Sequence, residues 1–538
     1  MPRLIDTRPD LAAPRALPGR AAFPTDRTRR TVFHPRFHAA TTPDRPACIT
    51  AETGEVMTYA ALEEAANRGA HLLRQLGLQR GDVLAVMLEN EPAVFTIAWA
   101  AERTGLYLTS ISTRLSLADA DYIVGDCGAK ALVVSDCLAA MGRAIAADRP
   151  GLPCFAVSEG YEGLPGWEGL NAACPATPIA DESPGTDMLY SSGTTGRPKG
   201  VRPPLPTGAL GMETPLVRMG RSLYGLGANS VYLSTSPLYH AAPLRWAMAV
   251  QRLGGTIVMM RKFDAETALG LIERHRITHG TWVPTHFVRL LRLPEEVRHR
   301  FDISSLCAAI HAGAPCPVGV KQQMIDWWGP VLHEYYSGTE TCGITALDSR
   351  EWLERPGSVG KAIIGTVHVT DDEGRVLPPG KTGAIWFADG PTFEYHNDPA
   401  KTAAAHNDRG WATLGDIGYL DADGYLYLTD RKNFMIISGG VNIYPQEIEN
   451  LLATHPDVAD VAVIGAPDDE MGQVVVAVVQ ATDDADRTRL AEDLRAFARQ
   501  GLGSLKCPKR FEFRDALPRE PTGKLLKGKL IAELGSAG

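Results

Sequence analysis

Between Leu189 and Val201 the chain reads Leu-Tyr-Ser-Ser-Gly-Thr-Thr-Gly-Arg-Pro-Lys-Gly-Val. Glycine lets a backbone turn tightly and bring its N–H groups close to an anion. The hydroxyls of Ser191, Ser192, Thr194 and Thr195 add short donors, and Lys199 adds a mobile positive charge. These are the parts of a loop that holds polyphosphate, with Ser191, Ser192, Gly193, Thr194, Thr195 and Lys199 as its contacts. The nucleotide-hydrolase pattern G-x-x-x-x-G-K-[ST] cannot be laid on it, because Pro198 stands five residues after Gly193. A flexible Ser/Gly linker is the competing reading. Linkers seldom run between an apolar Met188-Leu189-Tyr190 and a Pro-Lys-Gly turn.

A chain of 538 residues is too long for one ordinary domain and suggests two or more units. Asp and Glu number 63 against 54 Lys and Arg, a net charge of −9, which argues against nucleic acid or an anionic membrane as the main partner. No run approaches the ~18 apolar residues of a membrane span. The nine cysteines are scattered without a C-x-x-C pair, which suits free thiols in a reducing cytoplasm and speaks against zinc. Residues 1–30 are rich in arginine, but Asp6, Asp10, Asp26 and several prolines spoil an import helix, and no apolar core for secretion is present. A loosely ordered arm is expected there.

Residues 58–76 carry apolar side chains at helical spacing, with Thr58 as the N-cap and Gly77 just past the end. Val83–Met87 is a short apolar strand. Helix-sized and strand-sized runs alternate after it, the strands at 131–134, 231–234, 256–260, 280–283, 307–311 and 331–335. Such alternation predicts an α/β fold with mostly buried sheets. The texture changes after the turn at Asp421-Ala422-Asp423-Gly424, and polar residues from Asp430 to Asn433 interrupt two apolar runs. A boundary there leaves about one hundred residues, enough for a small domain. Strands are expected in it at 458–464, 474–480 and 510–513, with a helix at 488–498.

The run from Tyr190 to Val201 resembles the AMP-binding signature of the adenylate-forming superfamily. That superfamily holds acyl-CoA and aryl-CoA synthetases, firefly luciferase and the adenylation domains of peptide synthetases. Further motifs follow in its order as far as Lys524. The resemblance implies a large, multi-subdomain N-terminal ATP- and acyl-binding domain of layered sheets and helices (31–431). A small, mobile α+β lid (432–538) would follow it.

Pro237-Leu238-Tyr239-His240 follows a strand end. A lone histidine after an aromatic is commonly a satisfied core residue. In acyl-CoA synthetases a similar motif lies beside the carboxylate, which would give His240 a part in shaping the acyl pocket. Peptide-synthetase adenylation domains carry a nearby Asp for the substrate ammonium; its absence here favours a simple carboxylic acid. Gly313-Ala314-Pro315 resembles the turn that passes along adenine, although small-residue turns are common.

Tyr335-Tyr336-Ser337-Gly338-Thr339-Glu340 resembles the superfamily's Tyr-Gly-x-Thr-Glu, with Ser337-Gly338 where Gly-x is usual. By resemblance Tyr336 stacks on adenine and Thr339 bonds the phosphate. Glu340, with Thr195, supplies oxygen ligands to Mg²⁺, a hard cation. A strand end with a surface Glu is the plainer alternative. Asp416, in Gly415-Asp416-Ile417-Gly418, would ordinarily cap a turn. The resemblance makes it the carboxylate for both ribose hydroxyls and makes Arg431 a ribose contact. Asn433 stands where the hinge residue is commonly Asp or Lys, and Asn tolerates unusual backbone angles.

Ser438-Gly439-Gly440-Val441 resembles the loop that swings in for thioester formation. There Gly439 and Gly440 would line a pantetheine tunnel without side chains in the way; a plain Gly-Gly turn competes. From Pro518 to Lys527 the chain matches Pro-x-x-x-x-Gly-Lys-[Ile/Leu]. Lys524 falls at the catalytic lysine, whose ammonium stabilises charge between carboxylate and α-phosphate. Lys527 and Lys529 match nothing essential, and a basic C-terminal stretch is otherwise a solvated tail.

The resemblance therefore implies a two-step ligase using ATP, Mg²⁺ and CoA on a small carboxylic acid, with Lys524, Glu340, Thr195 and His240 as its catalytic set. Leu238, Tyr239, Leu244, Trp246, Trp282, Val283, Pro284 and Phe287 are candidate pocket residues. Their apolar character points to an aliphatic or aromatic acid, a medium- or long-chain fatty acid first and a cinnamic-type acid next. Alternatives are transfer of the acyl group to an amine or carrier protein, luciferase-like oxidation, and a non-catalytic nucleotide-binding protein. The oligomeric state stays open, a homodimer among the options.

Overall fold

Thr58 caps the helix Tyr59–Gln75 through its side chain, which accepts the Ala61 N–H at 3.2 Å. This helix buries Leu62, Ala66, Ala70 and Leu73 on one face. The structure is a computed structural model and describes residues 32–538 apart from 159–160, 192–197, 432–433, 440, 469, 484, 488, 503–505, 520–524 and 536–538, and apart from the side chains of residues 162, 442 and 535. The arm at 1–30, Ser192, Gly193, Thr194, Thr195, Asn433, Gly440 and Lys524 lie outside the described residues. Phe33–Gly538 forms one compact unit.

Val83–Met87 is buried at all five positions. It sits in a parallel sheet ordered Cys154–Ala156, Ala129–Val134, Val83–Met87, Tyr107–Ser110, Thr186–Asp187. Parallel strands covered on both faces read as continuous apolar runs, which is why sequence finds them. A thirteen-stranded sheet among the described residues has a parallel half ordered Leu332–Tyr336, Ala308–His311, His279–Trp282, Val231–Ser234, Thr256–Met259, Pro46–Thr50. Its other half is antiparallel and continues through Ile344–Asp348, Ser358–Ile364, Leu426–Arg431, Asp416–Leu420, Gly383–Ala388 and Thr366–Thr370. Here the structure departs from the expectation of mostly buried sheets. Lys361, Ala362 and Ile363 face solvent, and only Leu426 of its strand is buried.

In open parallel sheets ligands gather at the carboxyl ends of the strands. Three neighbourhoods named above leave such ends. Val231–Ser234 runs toward His240, Ala308–His311 into the turn at Gly313, and Leu332–Tyr336 toward Glu340.

From Ile436 onward the strands Ile436–Ser438, Val441–Ile443, Val458–Asp468, Gly472–Ala481 and Arg510–Phe513 form a separate sheet. Helices Pro445–Leu452 and Leu490–Gly501 pack one face through Ile448, Leu452, Leu490 and Leu494. The helix Lys527–Gly535 packs the other through Leu530 and Leu534. The central hairpin is longer than the sequence suggests, since its strands extend to Asp468 and begin at Gly472.

Candidate functional site

The strand Leu189–Ser191 pairs antiparallel with Lys199–Arg202, setting Ser191 opposite Lys199, so both flanks of the segment expected to hold polyphosphate lie side by side. Gly200 is required there, because a Cβ would lie 2.8 Å from the Tyr190 ring. Tyr190 in turn donates to Asp126 Oδ2 at 2.5 Å. A third short strand, Glu394–Tyr395, joins the pair on the far side of Lys199–Arg202. The Lys199 ammonium lies 5.2 Å from the centre of the Tyr395 ring, within cation–π range.

Tyr395 also meets Glu340. Its hydroxyl donates to Glu340 Oε1 at 2.8 Å. Burial, and then the facing carboxylate, hold the Tyr395 pKa above its ordinary value, so it is the donor. The exchange of Gly-x for Ser337-Gly338 has a geometric reason. A Cβ at Gly338 would lie 2.6 Å from Glu340 Oε2 and 2.6 Å from a methyl of Leu414. Ser337 instead donates to the Gly343 carbonyl at 2.8 Å. Thr341, next to Glu340, is left-handed at φ 51°, an outlying conformation for a β-branched residue.

Arg245, on the helix Ala241–Leu253, grips Asp187 with both forks at 2.7 Å and donates to the Thr339 carbonyl at 3.2 Å. One guanidinium thereby ties the five-stranded sheet, the helix after His240 and the approach to Glu340.

Tyr336 donates to Asp416 Oδ2 at 2.5 Å, and Arg431 Nε lies 3.1 Å from Asp416 Oδ1. These three come from separate strands, and Asp416 stands opposite Arg431 in register. Burial raises the Asp416 pKa, with Arg431 and the Tyr336 hydroxyl pulling the other way. Gly313 adopts φ 86°, a turn conformation glycine supplies without strain, and precedes Ala314 and Pro315 on the strand exit beside Tyr336.

His240 is the half-buried N-cap residue of Ala241–Leu253, its ring 4.7 Å from that of Tyr239. The segment leading to it is fastened by buried Asn90. Asn90 accepts the Leu238 N–H at 2.8 Å and donates to the carbonyls of Ser236 and Met260 at 3.1 and 2.8 Å. The apolar pocket candidates divide. Leu238, Leu244 and Trp246 belong to one core cluster, whereas Trp282 and Phe287 belong to another with Trp328.

In the C-terminal part Gly439 adopts φ 56°, and a Cβ there would meet Met471 at 2.6 Å. Arg519 and Leu525 bridge across the segment that carries Lys524. Lys527 is no solvated tail residue: it is buried, with its ammonium 2.8 Å from buried Glu449. Sequence reasoning also missed Tyr395, Arg245, Asp187 and Asn90.

The description "AMP-binding enzyme" belongs to the family model that matches residues 36–393, and "AMP-binding enzyme C-terminal domain" to the one that matches residues 447–524. A long-chain-fatty-acid–CoA ligase of Mycobacterium tuberculosis is 33% identical over 515 residues, covering 91% of this chain and 96% of the relative. A 2-succinylbenzoate–CoA ligase of Bacillus licheniformis is 33% identical over 508 residues, covering 92% and 99%. Among solved structures, ATP-bound MatB from Rhodopseudomonas palustris superposes with a TM-score of 0.80 at 28% identity, covering 94% of this chain and 99% of that one.

Proposed function

The chain belongs to the AMP-binding enzyme family, and from that premise we infer how its own residues divide the work. It is an acid–thiol ligase. ATP activates a carboxylic acid as acyl-AMP with loss of pyrophosphate, and the CoA thiol then takes the acyl group with loss of AMP. One observation supports the residue roles above the others: Tyr336 and Glu340 leave the same strand, each held by a side chain from elsewhere, Asp416 and Tyr395.

In the first step the loop from Ser191 to Lys199 holds the β- and γ-phosphates. Tyr336 and the Gly313-Ala314-Pro315 turn flank the adenine, Thr339 bonds the phosphate, and Asp416 with Arg431 takes the ribose hydroxyls. Magnesium suits the donor set. Glu340 offers an oxygen ligand, and among the described residues no cluster of three or more His, Cys, Asp or Glu forms a dedicated cage. That pattern fits a cation that arrives with the phosphates of its nucleotide. Glu340 and Thr195 are the residues to hold it, and when bound it neutralises phosphate charge. Lys524 stabilises negative charge on the transferring group, and His240 borders the acid. In the second step the lid, residues 432–538, turns about Asn433, withdraws Lys524 and brings in Gly439 and Gly440 to line the path of CoA. Two chemistries in one site call for two poses.

The acid is fatty or aromatic, with a medium- or long-chain fatty acid first; the substrates in the names of the two relatives support that pair of classes. The nine cysteines are all free, which supports a reducing cytoplasm. The test is AMP release from ATP across short, medium, long and aromatic acids, each with and without CoA. Release that needs CoA and one acid class is the expected result. Acid-dependent pyrophosphate exchange without CoA-dependent turnover would move the acceptor to an amine or carrier protein. No acid-dependent signal across the panel would overturn the assignment.

A further inference from the structure

Four non-glycine residues among the described ones adopt left-handed backbone: Arg276, Thr341, Asp389 and Asn397. Arg276 ends the helix Ala265–His275, where such a conformation is ordinary. The other three surround one hydrogen bond. Thr341 follows Glu340, Asn397 follows Tyr395 by two residues, and Asp389 precedes Gly390, where a Cβ would lie 1.8 Å from the Cys342 carbonyl. Asp and Asn take this conformation readily, but for β-branched Thr341 it is unfavourable, and such backbone persists only where the surroundings over-determine it and gathers at working sites.

Tyr395 itself is locked in place. Its N–H donates to Thr402 Oγ1 at 2.9 Å, it pairs with Val201, and the next residue, His396, donates its N–H to the Gly200 carbonyl at 2.8 Å. The ring is therefore fixed to the strand Lys199–Arg202. Its hydroxyl holds Glu340 by Oε1, and among the described residues nothing donates to Oε2.

We propose that Tyr395 is the positioning residue for Glu340. Its hydroxyl fixes the carboxylate while its ring carries the Lys199 ammonium, so that the carboxylate meant for the nucleotide-borne cation and the cation meant for the phosphates are set by one side chain. The proposal rests on the ligase reading above, and it adds a residue that acts through Glu340 and Lys199.

Tyr395→Phe keeps the ring and removes the hydroxyl. The Mg²⁺ concentration for half-maximal acid-dependent pyrophosphate exchange is expected to rise about tenfold, the worth of one hydrogen bond to a charged group. The affinity for Mn²⁺ in the presence of a non-hydrolysable ATP analogue, read by electron paramagnetic resonance, falls by a similar factor. Thioester formation from supplied acyl-AMP and CoA stays within about twofold, because that half-reaction follows loss of pyrophosphate. Thr341→Gly gives a second handle. It relieves the left-handed strain without touching Tyr395, and it is expected to raise the Mg²⁺ requirement while the thermal midpoint holds or rises. Unchanged Mg²⁺ requirement and Mn²⁺ affinity in Tyr395→Phe would overturn the proposal, as would an equal loss in both half-reactions. Absence of exchange in the unmodified enzyme would count against the ligase reading instead, and the Mn²⁺ measurement would still decide the part of Tyr395.

Discussion

Lys321 is expected to be intolerant of single replacement and tolerant of paired replacement. It lies on the helix Val318–Trp328 with its ammonium 2.6 Å from Glu334 Oε2, the two side chains 1% and 7% exposed. The Trp352 ring centre is 5.0 Å from the ammonium, and His311 Nε2 is 3.7 Å from the same carboxylate oxygen. Burial, then Lys321, hold His311 well below its ordinary pKa, so the imidazole is neutral and cannot replace the lysine. Lys321→Met therefore leaves Glu334 buried without a cation, which costs about 3–5 kcal/mol, whereas replacing both partners by apolar groups is near neutral. Burial already raises the Glu334 pKa, with Lys321 opposing it; removing Lys321 lets it rise further. A carboxyl that binds its proton more tightly folded than unfolded loses stability as pH climbs above its unfolded value, by about 1.4 kcal/mol per unit for one proton. The variant should thus lie closer to the parent at pH ~5.5 than at pH ~8. Urea unfolding followed by tryptophan fluorescence, with Trp328 and Trp352 nearby, reports it at both pH values. Lys321→Met/Glu334→Met should return toward the parent. A loss independent of pH, or a double variant as weak as the single one, would refute the reasoning.

Three further outcomes follow, two from contacts already described and one from buried Glu102, whose Oε1 accepts from the Arg252 guanidinium at 2.8 Å and whose Oε2 lies 3.5 Å from His34 Nε2. Asp416→Asn preserves an acceptor for Tyr336 but removes the charge facing Arg431; KM for ATP should rise about tenfold with little change in KM for the acid, measured by initial rates. Gly338→Ala drives a methyl toward Glu340 Oε2 and Leu414, so adenylation should fall about a hundredfold for a displacement near 1 Å, read as pyrophosphate exchange. At Glu102 burial alone would raise the carboxyl pKa, but Arg252 and His34 outweigh it and hold it at about 2. That stability is present above the ordinary carboxylate range and is lost as pH falls toward about 2. Glu102→Gln should therefore flatten the acid-unfolding curve followed by circular dichroism.

What sequence makes legible here is local. The Thr58 cap, the buried strand Val83–Met87 and the edge Arg510–Phe513 each follow from neighbours along the chain. Tyr336, Glu340, Asp416 and Arg431 stand out in the sequence one by one, as residues of motifs. That Tyr336 bonds Asp416 eighty residues away does not, because pairing across a sheet leaves no periodic trace. Tyr395 is harder still, since it lies in a two-residue strand and its partner Glu340 is 55 positions distant. Arg245 and Asp187 are 58 apart, and Lys321 and Glu334 only 13, yet both pairs look like ordinary surface charges until the helices are docked. Lys527 misleads for the same reason: a basic residue near a C-terminus looks solvated unless Glu449 is known to face it.

Buried ion pairs are poor stabilisers, so their location calls for another explanation. Lys321–Glu334 sits behind the exits that carry Gly313 and Tyr336; Arg245–Asp187 reaches the carbonyl beside Glu340; Asp416–Arg431 meets the Tyr336 hydroxyl, at the place proposed for the ribose. Directional hydrogen bonds admit one arrangement where aliphatic packing would allow several, and catalysis by positioning needs the one. The left-handed Thr341 beside Glu340 tells the same way, because strain is tolerable only in a frame that cannot relax. The C-terminal part is built on the other principle. Two aliphatic clusters hold it together, and its links to the larger part among the described residues include single hydrogen bonds, from Gln446 N–H to Asp430 Oδ2 at 2.9 Å and from the Arg292 guanidinium to the Ala459 carbonyl. Such cohesion and attachment suit the turn between half-reactions proposed above. Replacing Asp430 by Asn, which weakens the first link without touching either cluster, should therefore shift the balance between the half-reaction rates and leave the unfolding of the C-terminal part unchanged.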